Sequence, residues 1–211
     1  MLDRIKQEPK DSKEEQYPQY RKLEEQIKQL TLYQHSFMQK INLICFFQFG
    51  GKLMSYQQSQ KIMNIIQIHK KVINFSQIYL GTRDGLSAQA FWNKVNGKSN
   101  LLMVFKSKMG YIFGEFSPLS SFLFSQTYDQ IYPLIEDKNK YAIYCNYQCG
   151  PCFGGNYNRD LNIDGTFKGC TSNLGDSYRH NQYQNVRHNT QLFNQATADI
   201  VECEIYQVTF A

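Results

Sequence analysis

Residues 141–155 are YAIYCNYQCGPCFGG, and the central CGPC, residues 149–152, belongs either to a redox helix or to a loop between strands. As a redox dithiol, the pair would open a helix whose N-terminal dipole lowers the thiol pKa, inside a βαβ pattern. Here Cys152 is followed by Phe153, Gly154, Gly155 and Asn156, a poor helix start, and a strand-like YAIYC precedes the motif. CGPC therefore reads as a loop in a β-rich region. Cys149 is expected at a strand end, with no helix beginning at Cys152, and Cys145 alternates with apolar residues like a small core side chain.

The same texture continues on both sides of the motif. INFSQIYL (73–80), LLMVFKS (101–107), YIFGEFS (111–117) and CEIYQVTF (203–210) are runs rich in Ile, Val, Phe and Tyr, separated by Gly, Asn, Asp and Lys. One short helix is predicted over LSAQAFWNKV (86–95), between the Asp84-Gly85 and Asn96-Gly97 turns. A second is predicted from Ser55 as N-cap to about Gln67, with Tyr56, Ile62, Met63, Ile65 and Ile66 as its apolar side. Runs of strands with few helices imply an antiparallel α+β or β-sandwich domain rather than a parallel sheet.

The N-terminal region differs. Residues 1–18 carry Pro9 and Pro18 among charged and amide side chains, the composition of a disordered polar tail. Over residues 19–48, Tyr20, Leu23, Ile27, Leu30, Gln34, Phe37, Ile41 and Ile44 recur at alternating steps of three and four. That is an a/d seam with one polar layer at Gln34. Such a helix either pairs with itself or a partner through residues 20–45, or folds back on its own domain.

With 211 residues, 42% hydrophobic and 15% aromatic, the chain can bury a good-sized core. Its 23 basic and 18 acidic residues are interspersed, so no one-signed stripe suggests a nucleic-acid partner. The polar first thirty residues have no secretory pattern, and INLICFFQF (41–49) is too short to span a bilayer. A reducing cytosol is expected, with six cysteines as buried or free thiols.

Other motifs fall short of a site. Cys145, Cys149, Cys152, Cys170, His180 and His188 lie in one region, but only Cys149 and Cys152 have the close spacing of a zinc ligand pair. Asp160-Leu-Asn-Ile-Asp164-Gly165 matches the start of a calcium-binding EF-hand loop, yet the required glutamate at position twelve is Thr171 and position nine is Lys168. It reads as a polar turn or a weak cation site. Gly97-Lys98-Ser99 lacks the leading glycine of a phosphate-binding loop, and no nucleophile elbow or zinc-protease helix occurs. No catalytic residue, metal or cofactor is expected.

Taken in order, residues 78–117 with SSFLFSQ, YAIYC, GPCFGG, DLNI, SNLGDSY and ECEIYQV resemble a TLDc domain across residues 50–211. The Gln- and Asn-rich texture is similar to that of ciliate-type members. Arg83, Asp84 and Gly85 fit the family's RDG turn, Phe91 its buried aromatic, Lys106-Ser107 the close of the next strand, and Phe113-Gly114 its IFGG turn, with Glu115 replacing the second glycine. Gly150, Pro151, Phe153, Gly154 and Gly155 fit GPxFGGG, and Asp160-Leu161 the following DL. Ser172, Asn173, Leu174, Gly175 and Tyr178 fit SNLGxxY, and Glu204 lies in the last strand. The chain departs in the loop after Gly155 and in the short link at Ser117-Pro118.

The resemblance implies a mainly antiparallel two-sheet β-sandwich with a few short flanking helices, preceded by the N-terminal helix. It also implies a non-catalytic protein-interaction module linked to oxidation resistance and to the vacuolar proton-pumping ATPase (V-ATPase). The implied location is cytoplasmic, peripheral to vacuolar or endolysosomal membranes through a partner. The alternatives are a thiol-based antioxidant enzyme using Cys149 and Cys152, and a structural component of a ciliate assembly.

Overall fold

The computed structural model describes residues 16–48, 51–68, 70–117, 121–155, 159–180 and 192–211, and the side chains of the first helix over 18–34 and 36–37. By contact density the chain divides into two units, residues 1–41 and 42–211.

Helix α1 runs Gln16–Gln48. On it Tyr20, Leu23, Ile27, Leu30 and Phe37 of the heptad seam are all more than half exposed. The side chains of Ile41 and Ile44, and most of the tail read over residues 1–18, lie outside the described residues.

In the second unit, strand β2 (Leu101–Ser107) shows why the sheet is buried on both faces. Successive side chains of a strand point to opposite faces. Leu101, Met103 and Phe105 enter one apolar cluster, while Leu102 and Val104 enter another. Burying each such side chain contributes roughly 1.5–3 kcal/mol. The sheet around it has six antiparallel strands: β1 (Val72–Leu80), β10 (Ile200–Phe210), β2, β3 (Ile112–Ser117), β4 (Phe122–Ser125) and β5 (Gln130–Pro133), in that order. Pro133, which has no N–H for a ladder, closes the edge strand β5.

The second sheet has four short antiparallel strands: β6 (Ile143–Tyr144), β7 (Cys152–Gly154), β8 (Arg159–Asn162) and β9 (Thr171–Ser172). Phe153 and Leu161 from this sheet join Met103, Phe105, Phe113, Leu123 and Ile205 from the first in one shared core. The two sheets form a β-sandwich.

The other face of the six-stranded sheet is covered by helix α2 (Tyr56–Ile66). Its N-cap is Ser55, whose hydroxyl accepts from the Gln58 N–H at 3.2 Å. Ile62, Met63 and Ile66 meet Phe75, Val104, Phe122 and Tyr206 there. Tyr56, read as part of the apolar side, is exposed, and Gln58 and Ser59 are buried instead. Between β1 and β2 lie a single-turn helix α3 (Gly81–Asp84) and helix α4 (Ala88–Val95), the latter capped by Ser87.

Two expectations need correction. YAIYC is strand only at β6, and Cys145 is exposed rather than a core residue. Cys149 lies in a turn closed by its own N–H to the Asn146 carbonyl at 3.0 Å, not at a strand end. Cys152 does begin a strand, β7, and no helix starts there. The altered loops after Gly155 and Ser117 fall on residues 156–158 and 118–120, outside the described residues.

Candidate functional site

The motif residues converge on three carboxylates, each tied to backbone. Asp160, in β8, is fully buried. Its Oδ1 accepts N–H groups from Gly175 at 2.8 Å, Asp176 at 3.1 Å and Tyr178 at 3.1 Å, and its Oδ2 accepts Ser177 at 2.8 Å. Its own carbonyl accepts the Ser172 hydroxyl at 2.9 Å and the Asn173 N–H at 3.2 Å. The DL and SNLG motifs are thus one device: the first supplies the acceptor, and the second supplies a loop of donors wrapped around it. Burial pushes the Asp160 carboxyl up to about 6, against the opposing pull of the N–H groups.

Glycines make that approach feasible. Gly154 has φ +95°, and a Cβ there would stand 2.3 Å from Asp160 Oδ2. Gly155 donates its N–H to Ser177 Oγ at 3.1 Å, joining the GPCFGG loop to the same staple. Phe153 fills the shared core, and the buried Pro151 offers its carbonyl to the Ile163 N–H at 3.1 Å. A Cβ at Gly150 would press within 3.1 Å of Phe167 and Ile163.

The second carboxylate, Asp84, is gripped from three sides. Arg83 Nη2 donates to Oδ2 at 2.7 Å and Nε to Oδ1 at 3.1 Å, the Leu80 N–H donates to Oδ2 at 2.9 Å, and Lys94 Nζ lies 3.5 Å from Oδ1. The Arg83 guanidinium holds this carboxyl well below the usual carboxylate range. Gly85, at φ +98°, ends α3 and gives its carbonyl to the Tyr79 hydroxyl. The third, Glu204 in β10, is buried and accepts N–H groups from Lys52 at 2.9 Å and Leu53 at 3.3 Å, and the Tyr206 hydroxyl at 3.0 Å. Burial pushes its pKa up. It anchors the segment entering α2 onto the sheet.

Gly114 is a packing requirement of another kind. A Cβ there would fall 2.1 Å from the Met103 carbonyl oxygen and 2.5 Å from the Phe124 ring. Its neighbour Glu115 points into the shared core, fully buried, and neither carboxyl oxygen has a hydrogen-bond partner among the described residues. Burial pushes its pKa well up.

The EF-hand reading dissolves on geometry. Asp160 faces its N–H nest, Asn162 Oδ1 accepts from Arg159 and the Cys152 thiol, and Asp164 caps its own turn through Thr166 Oγ1 at 2.7 Å and the Lys168 N–H at 2.9 Å. Among the zinc candidates, Cys170 is buried, His180 stacks against Tyr132 with centroids 5.4 Å apart, and His188 lies outside the described residues.

Arg159 carries no motif signal in the sequence. Paired with Gly154 across the β7–β8 hairpin, it places Nη1 3.9 Å from Cys149 Sγ and 3.5 Å from Cys152 Sγ, with its guanidinium 4.4 Å above the Tyr144 ring. Only the hairpin register brings it there, and no local spacing in the chain encodes that.

These features carry a family assignment. The family model for the TLDc domain matches residues 47–209. The chain belongs to the TLDc family. The match covers the β-sandwich, α2 and every motif residue described above, and the TLDc motifs of this chain are read in its structure as staples and close approaches of backbone. A search among curated proteins finds no match. A TLDc domain is consistent with a protein-interaction module of the oxidation-resistance type, and no helix of the described residues is long and apolar enough to cross a membrane.

Proposed function

We propose that this TLDc protein is a non-catalytic interaction module that binds or regulates the vacuolar proton-pumping ATPase and is linked by that route to oxidative-stress resistance. The observation that carries the reading is the employment of the motif carboxylates. Asp160, Asp84 and Glu204 each accept backbone N–H groups, so their chemistry is spent on shaping loops. Loops on a rigid sandwich are where binding surfaces are built. The domain organisation that fits this reading is a polar tail over 1–18, a helical segment over 19–48 and the TLDc domain over 50–211.

Helix α1 supplies the second element. Large apolar side chains exposed at heptad spacing, from Tyr20 to Phe37, suit a seam that pairs two chains or engages a helical partner. The protein then sits in the cytoplasm and reaches vacuolar or endolysosomal membranes through its partner. Co-purification with intact ATPase, for the full chain and for a deletion of residues 20–44, tests this. Retention by the full chain and loss in the deletion is expected, and no association in either abandons the pump-binding claim.

A further inference from the structure

The CGPC turn holds chemistry that the interaction reading does not use. Cys152 is fully buried, and its thiol is hydrogen-bonded to Asn162 Oδ1 at 3.1 Å and to the Gly150 carbonyl at 3.5 Å, with Cys149 among the groups that act on it. Burial pushes its pKa up to about 12, so Cys152 stays a thiol. Cys149 is partly exposed at the mouth of the turn. Arg159 stands against both sulfurs, fixed from its other side by the Tyr144 ring and by Asn162.

A redox dithiol needs an accessible sulfur, a nearby cation to favour the thiolate, and a second thiol within reach. In thioredoxin-like folds the positive end of a helix does the second job. Here a strand follows the motif, and a guanidinium from the neighbouring strand stands in that place.

We propose that Cys149 and Cys152 form an oxidisable dithiol that hydrogen peroxide closes to a disulfide, with Arg159 as the cation that promotes attack at Cys149. In the first step the Cys149 thiolate attacks one peroxide oxygen. The O–O bond breaks, the sulfur becomes a sulfenic acid, and hydroxide leaves. In the second step the Cys152 sulfur attacks the sulfenic sulfur. The S–O bond breaks, hydroxide leaves and takes up the Cys152 proton as water, and the S–S bond forms. Two thiols and one peroxide give one disulfide and two waters.

The closure has a built-in reporter. Trp92 is the only tryptophan of the chain, and its indole N–H donates to the Cys149 carbonyl at 2.8 Å and to the Asn146 carbonyl at 3.1 Å. Its ring packs on Tyr147 with centroids 5.2 Å apart. Trp92, Val95, Leu101, Tyr144, Tyr147 and Pro151 line a cavity of about 170 Å³ beside the turn. Pulling Cys149 and Cys152 together moves the backbone that holds this wall.

The test uses the purified, reduced full chain with no partner present, so its outcome is separable from pump binding. Hydrogen peroxide should remove Cys149 and Cys152 together from alkylation, take two hydrogens from the mass of their shared peptide, and change Trp92 emission, all reversed by dithiothreitol. Cys152→Ser should stop at a sulfenic acid on Cys149 that a dimedone probe traps. Arg159→Gln should slow oxidation by about tenfold, as expected for loss of a cation close to the charge that develops on the leaving hydroxide, and Arg159→Lys should restore most of the rate with the fold checked by circular dichroism. Persistence of both thiols while the exposed Cys145 oxidises, or an unchanged rate in Arg159→Gln, overturns the proposal.

Discussion

The Asp160 carboxylate accepts the backbone N–H of Tyr178, eighteen residues downstream, at 3.1 Å. With the N–H groups of Gly175, Asp176 and Ser177 it forms a nest that joins two family motifs separated in the chain. Removing the acceptor leaves four donors without it in a buried site, and each unsatisfied group costs about 1–3 kcal/mol. Asp160→Ala is expected to destabilise the domain by about 3 kcal/mol or more, and Asp160→Asn by less, since its amide keeps one acceptor oxygen. Urea unfolding measures both. A loss for Asp160→Ala no larger than ordinary surface changes would mean that the staple contributes little.

Glu115 yields a pH dependence. Its carboxyl is buried with no hydrogen-bond partner among the described residues, and burial raises its folded-state pKa well above the ordinary value of 4.5. The folded chain therefore holds this proton more tightly than the unfolded chain does. Its contribution is fully present below about pH 4.5 and is lost as pH rises toward the folded-state pKa. Glu115→Gln, which cannot ionise, should gain stability relative to the parent as pH rises from about 5 to about 9. Thermal melts across that range check it, and parallel curves would place the ionised carboxylate comfortably in the core.

Two glycines separate crowding from backbone conformation. Gly114 has no room for a Cβ, which would overlap the Met103 carbonyl, so Gly114→Ala should cost about 3 kcal/mol or more. Gly97 has φ +72° with nothing within 4 Å, so Gly97→Ala should cost only about 1 kcal/mol, the strain of a left-handed residue. Equal losses by denaturant titration would contradict the difference.

The heptad seam is tested by charge. Replacing Leu23 and Leu30 by glutamate puts carboxylates on a face where Tyr20, Leu23, Ile27, Leu30 and Phe37 are more than half exposed, so the helix itself should survive. Any self-association or partner capture that depends on α1 should then be lost, measured by sedimentation and by co-purification. A helix content that stays the same by circular dichroism while association also stays the same would assign the seam no role.

Much of the sandwich was legible because its signals are local. The apolar run LLMVFKS, the N-cap at Ser55 and the turn residues around α4 act over a few positions, where propensity and local pattern suffice. The order of the TLDc motifs placed the glycines. Short elements were harder: β5, β7 and β9 are two to four residues long, too short to show a period, and YAIYC carried a pattern that its turn overrode.

The class of fold, the N-cap of α2 at Ser55 and the family follow from neighbours in the chain. Tertiary structure alone decided what the motif residues do. Asp160 became a staple because the hairpin turned it toward residues 175–178, and Glu115 became a buried acid because β3 faces the second sheet at that position. CGPC acquired its cation in the same way. Sequence spacing withheld a helix dipole, and strand pairing across β7 and β8 set the Arg159 guanidinium against both sulfurs. Long-range pairing has no local signature, so it is there that the chemistry of this protein was settled.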